Sequence, residues 1–175
     1  MSERIETTAI RNLIHNEEYC RKVLPFIKEE YFTDRLEKLI FTEIYGFVNK
    51  YNNLPTKESL SIEMNTNKGV SEGEYKKMNE IISSLNPEPI NLDWLVETTE
   101  TWCKDRAIHN AILGGIQILD GKDKDHTPEY LPELLSEALS VSFDQKVGHD
   151  YLLESKERYD YYNRKEERLE LDLDF

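Results

Sequence analysis

His109 follows Asp105 at the i, i+4 spacing that stacks two side chains on one helix face, as a pair of metal ligands would be. His15, His109, His126 and His149 are scattered, and none has a neighbouring ligand at zinc-site spacing. His109 therefore reads as a solvated or core-satisfied residue, and His126, between Asp123 and Asp125, as part of a charged surface turn. The carboxylate pairs Glu17-Glu18, Glu29-Glu30 and Glu166-Glu167 would suit acid–base hydrolysis if one member lay in an apolar pocket. With 35 acidic residues in 175, such pairs arise by chance. Cys20 and Cys103 have no CxxC partner and no evident base, so both read as core thiols of a protein in a reducing, cytoplasmic setting. Tyr159, Tyr161 and Tyr162 interleave with Arg158, Arg164 and Lys165, a pattern that can stack single-stranded bases. Glu157, Asp160, Glu166 and Glu167 cancel that charge, which favours protein docking instead. There is no GxxxxGK[ST] phosphate loop. These residues predict no catalytic, cofactor-binding or metal-binding site, and no enzyme activity for this stretch of chain.

The elements that carry them are helical. Seven glycines and six prolines are few for 175 residues. Apolar residues recur at helical spacing over 3–15, 17–24 and 34–52, with Asp34 placed as an N-cap. Thr56 caps a helix carrying Leu60, Ile62 and Met64, and Ser71 with Glu74 has capping-box spacing before a helix over 72–85. Pro87 and Pro89 mark a joint. The longest helix spans 92–119; its first half is amphipathic, with Trp94, Leu95 and Trp102. From Ala107 to Leu119 only His109, Asn110 and Gln117 are polar, so this half must be buried on more than one side. Gly114-Gly115 costs about 1 kcal/mol per glycine in a helix, which a close approach by another helix would explain. After the polar loop 120–126, Thr127-Pro128-Glu129 opens a second helix with Leu131, Leu134, Leu135, Ala138, Leu139 and Val141.

A long helix, a short loop and a second helix make an αα-hairpin. Its inner face cannot hide the apolar girth of 107–119, and a second copy could. The residues expected in the hairpin core or self-association surface are Ile108, Ile112, Gly114, Gly115, Ile116, Leu119, Leu134, Leu135 and Leu139. A charged helix over 151–168 presents Leu152, Tyr159 and Tyr162 for docking as a linker. Alternating Leu and acidic residues over 169–175 read as the first strand of a further domain. The expected fold is all-α: a helical head over 1–90, the hairpin over 91–142, a linker region over 143–168, and that strand.

Composition excludes several classes. A net charge of -13 opposes a surface built to grip phosphate. No apolar run is long enough to span a membrane.

Tyr31-Phe32-Thr33, Ile40-Phe41-Thr42-Glu43-Ile44 and the opening Thr8–Ile14 resemble the N-terminal domain of DnaB-type replicative helicases. Asn53-Leu54-Pro55-Thr56, Asp93-Trp94-Leu95-Val96 and above all Glu137–Asp144 followed by Val147-Gly148-His149-Asp150 bring the likeness closer to those of large tailed phages. The resemblance covers roughly 5–160. It implies an assembly collar of an ATP-dependent hexameric ring that moves 5′ to 3′ on DNA during replication. The implied partners are further copies of the chain, primase and helicase loader. ATP, Mg²⁺ and DNA would be handled by a motor domain that this stretch lacks. The alternative is a stand-alone helical adaptor or loader-like protein.

Overall fold

The first two helices meet at one residue that serves both. In the computed structural model, which describes residues 4–67 and 69–143, α1 is Ile5–His15 and α2 is Glu17–Val23. Asn16 closes α1 through its N–H to the Asn12 carbonyl. Its side chain then accepts from the Tyr19 N–H to open α2. A 3₁₀ turn follows at Glu29–Tyr31, then α3, Arg35–Tyr51. Asp34 caps α3, accepting from the N–H groups of Leu36 and Glu37 at 2.8 and 3.1 Å. Asn52 ends it in the left-handed region at φ 49°, a conformation Asn tolerates better than most side chains.

α4 is Lys57–Thr66 and α5 is Glu72–Ser84, each opened by a capping box, Thr56 with Ser59 and Ser71 with Glu74. α6 runs unbroken over Leu92–Leu119, capped by Asn91 on the Trp94 N–H at 2.9 Å. It ends in a Schellman turn: Gly121, at φ 67°, donates to the Ile118 carbonyl and Lys122 to that of Gln117. The second hairpin helix starts later than Thr127 and Pro128 suggest. Pro128–Tyr130 forms a 3₁₀ turn, and α7 is Leu131–Leu139, with Pro132 in its first turn where a missing N–H does no harm. Val141 lies past the end of α7 and packs against the head core.

The fold is all-α, and no strand occurs among the described residues. The described residues fall in the first compact unit, Met1–Phe143. The linker helix expected over 151–168, its Leu152, Tyr159 and Tyr162, and the strand expected over 169–175 all lie outside the described residues. In the first unit α1 to α5 surround a core of Ile10, Leu13, Tyr19, Ile40, Ile44, Leu60, Met64, Met78 and Ile82. The first half of α6 completes that core with Leu95, Trp102 and Cys103, so the head draws on residues beyond 90. Trp94 and Ile62 do not join it; they are 53% and 67% exposed, on the outer sides of α6 and α4.

Polar groups fix the position of α6. The Thr99 hydroxyl donates to the Leu95 carbonyl, so in their 2.8 Å bond the Tyr19 hydroxyl must be the donor to Thr99. Arg106 Nε donates to the Tyr31 carbonyl at 2.8 Å and Asn110 Nδ2 to the Glu30 carbonyl at 2.9 Å. Beyond α7 the chain returns to the head, where Phe143 stacks on Phe26 with ring centroids 4.8 Å apart.

Candidate self-association surface

The candidate surface is a face of the hairpin. In a helix each residue advances about 100° around the axis, which divides α6 into three faces about a third of a turn apart. Leu95, Thr99, Trp102, Cys103, Arg106 and Asn110 share the face that meets the head. Ala111, Gly114, Gly115 and Ile118 share the face that meets α7. Here the two helices approach closely: a Cβ on Gly115 would lie 3.0 Å from Leu131 Cδ2, and one on Gly114 would lie 3.6 Å from Leu134 Cδ2.

The third face carries Ile108, Ile112, Ile116 and Leu119. Ile108 is half-buried, while Ile112, Ile116 and Leu119 are 51%, 49% and 65% exposed. On α7, Leu135 and Leu139 lie a quarter turn from the α6 seam, in the same rotational sense. Because the two helices are antiparallel, equal rotations bring these residues to the same side of the hairpin. Leu135 is 40% and Leu139 69% exposed. The result is one continuous apolar face pointing away from the head. Of the residues singled out in the hairpin, Gly114, Gly115 and Leu134 fall in the seam, and Ile108, Ile112, Ile116, Leu119, Leu135 and Leu139 on this face.

Several of the groups considered for chemistry are otherwise engaged. Glu17 pairs with Arg21 and Glu18 with Lys22 across single helix turns. Glu29 reaches Lys38 and Thr42. His126 contacts Asp123 at 3.1 Å and stacks on Tyr130. The Asp123 carboxyl sits below its usual range because it accepts from the Asp125 N–H and from His126. Burial pushes the Cys20 thiol up to about 11 and the Cys103 thiol up to about 12, so neither is a thiolate near neutrality. Among the described residues no three His, Cys, Asp or Glu side chains are grouped to hold a metal ion, and no helix is long and apolar enough to cross a membrane.

One polar cluster joins α1 to α3. Arg4 lies between Glu6 at 3.0 Å and Glu37 at 3.2 Å, and Thr7 donates to Glu37 at 2.9 Å. Burial raises the Glu37 carboxyl, and the bonds from Thr7 and Arg4 only partly offset it. In Glu6 burial also pushes upward, but the Arg4 bond and backbone contacts prevail and hold it below its usual range. The cluster is a helix-to-helix clasp.

The described unit is thus all-helical, with a packed head and a hairpin whose outer face is apolar. No protein-family model matches the chain. Over 94% of its length it is 31% identical to a DnaB-like replicative helicase of Enterobacteria phage T4. It spans 36% of that protein's length. The likeness to DnaB-type helicases read from the sequence motifs is therefore found along nearly the whole chain, in agreement with the all-α fold.

Proposed function

We propose that this chain is the assembly and docking domain of a DnaB-like replicative helicase, and that it holds subunits together through its hairpin. The similarity to the T4 helicase supports the role in DNA replication. The observation that carries the assembly role is the exposed apolar face of Ile112, Ile116, Leu119, Leu135 and Leu139. Each half-exposed Leu or Ile gains about 1 kcal/mol when a partner covers it. Five such residues contributed by each of two copies supply a substantial association energy before the entropic cost of docking.

In this reading, helicase rings are built by pairing hairpins into a collar, and primase or a loader protein docks on the same assembly. ATP hydrolysis, Mg²⁺ binding and 5′-to-3′ movement on DNA belong to a motor outside these residues. The net charge of -13 is consistent with a domain that contacts proteins and leaves phosphate to that motor. Sedimentation of the purified chain over a wide concentration range tests the assembly role. Reversible self-association that persists at high salt is expected, because the contact is apolar. A monomer at every concentration contradicts it.

A further inference from the structure

We infer that the head half of α6 carries a second docking surface, an acidic stripe beside Trp94 that receives an arginine-bearing helix of another protein. α6 is continuous from Leu92 to Leu119. Trp94 and Ile112 are about five turns apart, so they lie on the same side of this helix, about 27 Å from each other. Thr101 and Asp105 fall within about 20° of that line, and Glu97 about 60° to one side. Trp94, Glu97, Thr101 and Asp105 are all exposed. The outward side of α6 thus has two halves: apolar from Ile108 onward, and before it an aromatic ring among carboxylates.

The charge of this first half is uncompensated. Among the described residues the carboxylates of Asp93, Glu97 and Asp105 take no hydrogen bond and no ion pair. The two basic residues of the same stretch are turned elsewhere. Lys104 reaches Glu100 at 2.6 Å, and Arg106 donates to the Tyr31 carbonyl at 2.8 Å. The Thr101 hydroxyl donates to the Glu97 carbonyl at 3.0 Å, so its proton is not offered to a carboxylate.

A guanidinium fits both features at once. Its flat face stacks on the half-exposed indole of Trp94, and its edge N–H groups stay free for Glu97, one turn further along. An ammonium can sit over the ring but lacks the planar fork that bonds a carboxylate while stacked. From Trp94 to Asp105 the stripe is about 16 Å long, which matches about three turns of a partner helix. Arginines on one face of such a helix run along the carboxylates. Nucleic acid has the same sign of charge as the stripe and is repelled. This surface is separate from the hairpin face, and pairing of hairpins does not require it.

A synthetic helical peptide of about 18 residues with arginines along one face is the probe. Its binding is followed by fluorescence anisotropy at about 0.1 M salt, with circular dichroism to confirm that each variant is folded. Trp94→Ala, and Glu97→Lys with Asp105→Lys, are each expected to weaken binding on the order of tenfold. Glu72→Lys with Glu80→Lys makes the same change of net charge on α5, and is expected to weaken it by less than about twofold. A lysine version of the peptide should bind the unaltered chain several-fold more weakly. Absence of binding, equal weakening by the α5 control, or unchanged binding in Trp94→Ala overturns the proposal. Loss of self-association in Trp94→Ala, read by sedimentation, would show that a second copy covers the stripe and would overturn it too.

Discussion

Leu131 of α7 closes on the backbone of Gly115 in α6 so tightly that a Cβ there would lie 3.0 Å from Leu131 Cδ2. One turn of packing away, Gly114 leaves ordinary room, 3.6 Å from Leu134 Cδ2. Two neighbouring glycines thus have different reasons to be there. Gly114→Ala is expected to stabilise the chain by up to about 1 kcal/mol, because it removes a glycine's cost in a helix without a clash. Gly115→Leu is expected to destabilise it by about 1–3 kcal/mol through overpacking of the seam. Urea titration of both variants measures the difference; equal and opposite-to-expected shifts contradict the seam.

The N-caps make a second prediction. Asp34 satisfies two N–H groups of α3, and Asn91 satisfies one of α6. Replacing either with Ala is expected to cost about 1 kcal/mol. Thermal unfolding at neutral pH reads the loss, and the Asp34 variant should lose more.

Acid should weaken the head through one carboxylate in particular. Glu74 accepts from Arg35 at 2.7 Å and from Ser71, which hold its carboxyl down to about 2. Unfolding returns it to the ordinary carboxyl range. Between those values the unfolded chain binds the extra proton, so stability is present above the ordinary range and is lost as pH falls through it toward 2. Glu37 has the opposite sign: its carboxyl is raised by burial, so stability falls as pH rises through the window between its unfolded and folded values. Glu74→Gln is expected to flatten the acid limb of the stability profile and Glu37→Gln to remove the opposing slope. Chemical denaturation across pH 2 to 7 checks both, and an unchanged acid limb in Glu74→Gln contradicts the assignment.

Cys20 and Cys103 are nearly inaccessible and their thiols are raised to about 11 and about 12. Both are expected to resist alkylation by iodoacetamide in the folded chain and to react fully in denaturant. Mass spectrometry distinguishes the states; rapid labelling of the native chain would show that the head core opens.

Much of this was legible in the residues. Asp34, Thr56 and Ser71 mark helix starts because a short polar side chain before an apolar repeat has one efficient use, and the structure uses each that way. The ends of α6 follow from Asn91 and Gly121 in the same manner. Trp94 and Ile62 were harder, because apolar periodicity says that a side chain belongs to a stripe but not which neighbour covers the stripe. α7 was harder still: Pro128 and Pro132 each fit a first turn, and only the observed 3₁₀ turn assigns the α-helical start to Leu131. The excess of apolar residues over 107–119 was visible, but its division among head, α7 and solvent was not. Of the three polar residues in that run, Asn110 faces the head and donates to the Glu30 carbonyl, whereas His109 and Gln117 are exposed.

The central claim is that one face of the hairpin, and not its apolar content as such, joins two copies. Ile112 and Leu113 are adjacent and similarly exposed, at 51% and 47%, yet Leu113 points about 100° away, toward the side the head occupies. Sedimentation of Ile112→Asp beside Leu113→Asp is the direct measurement. Ile112→Asp is expected to be monomeric where Leu113→Asp associates like the unaltered chain. Equal loss in both variants, or no loss in Ile112→Asp, would contradict it.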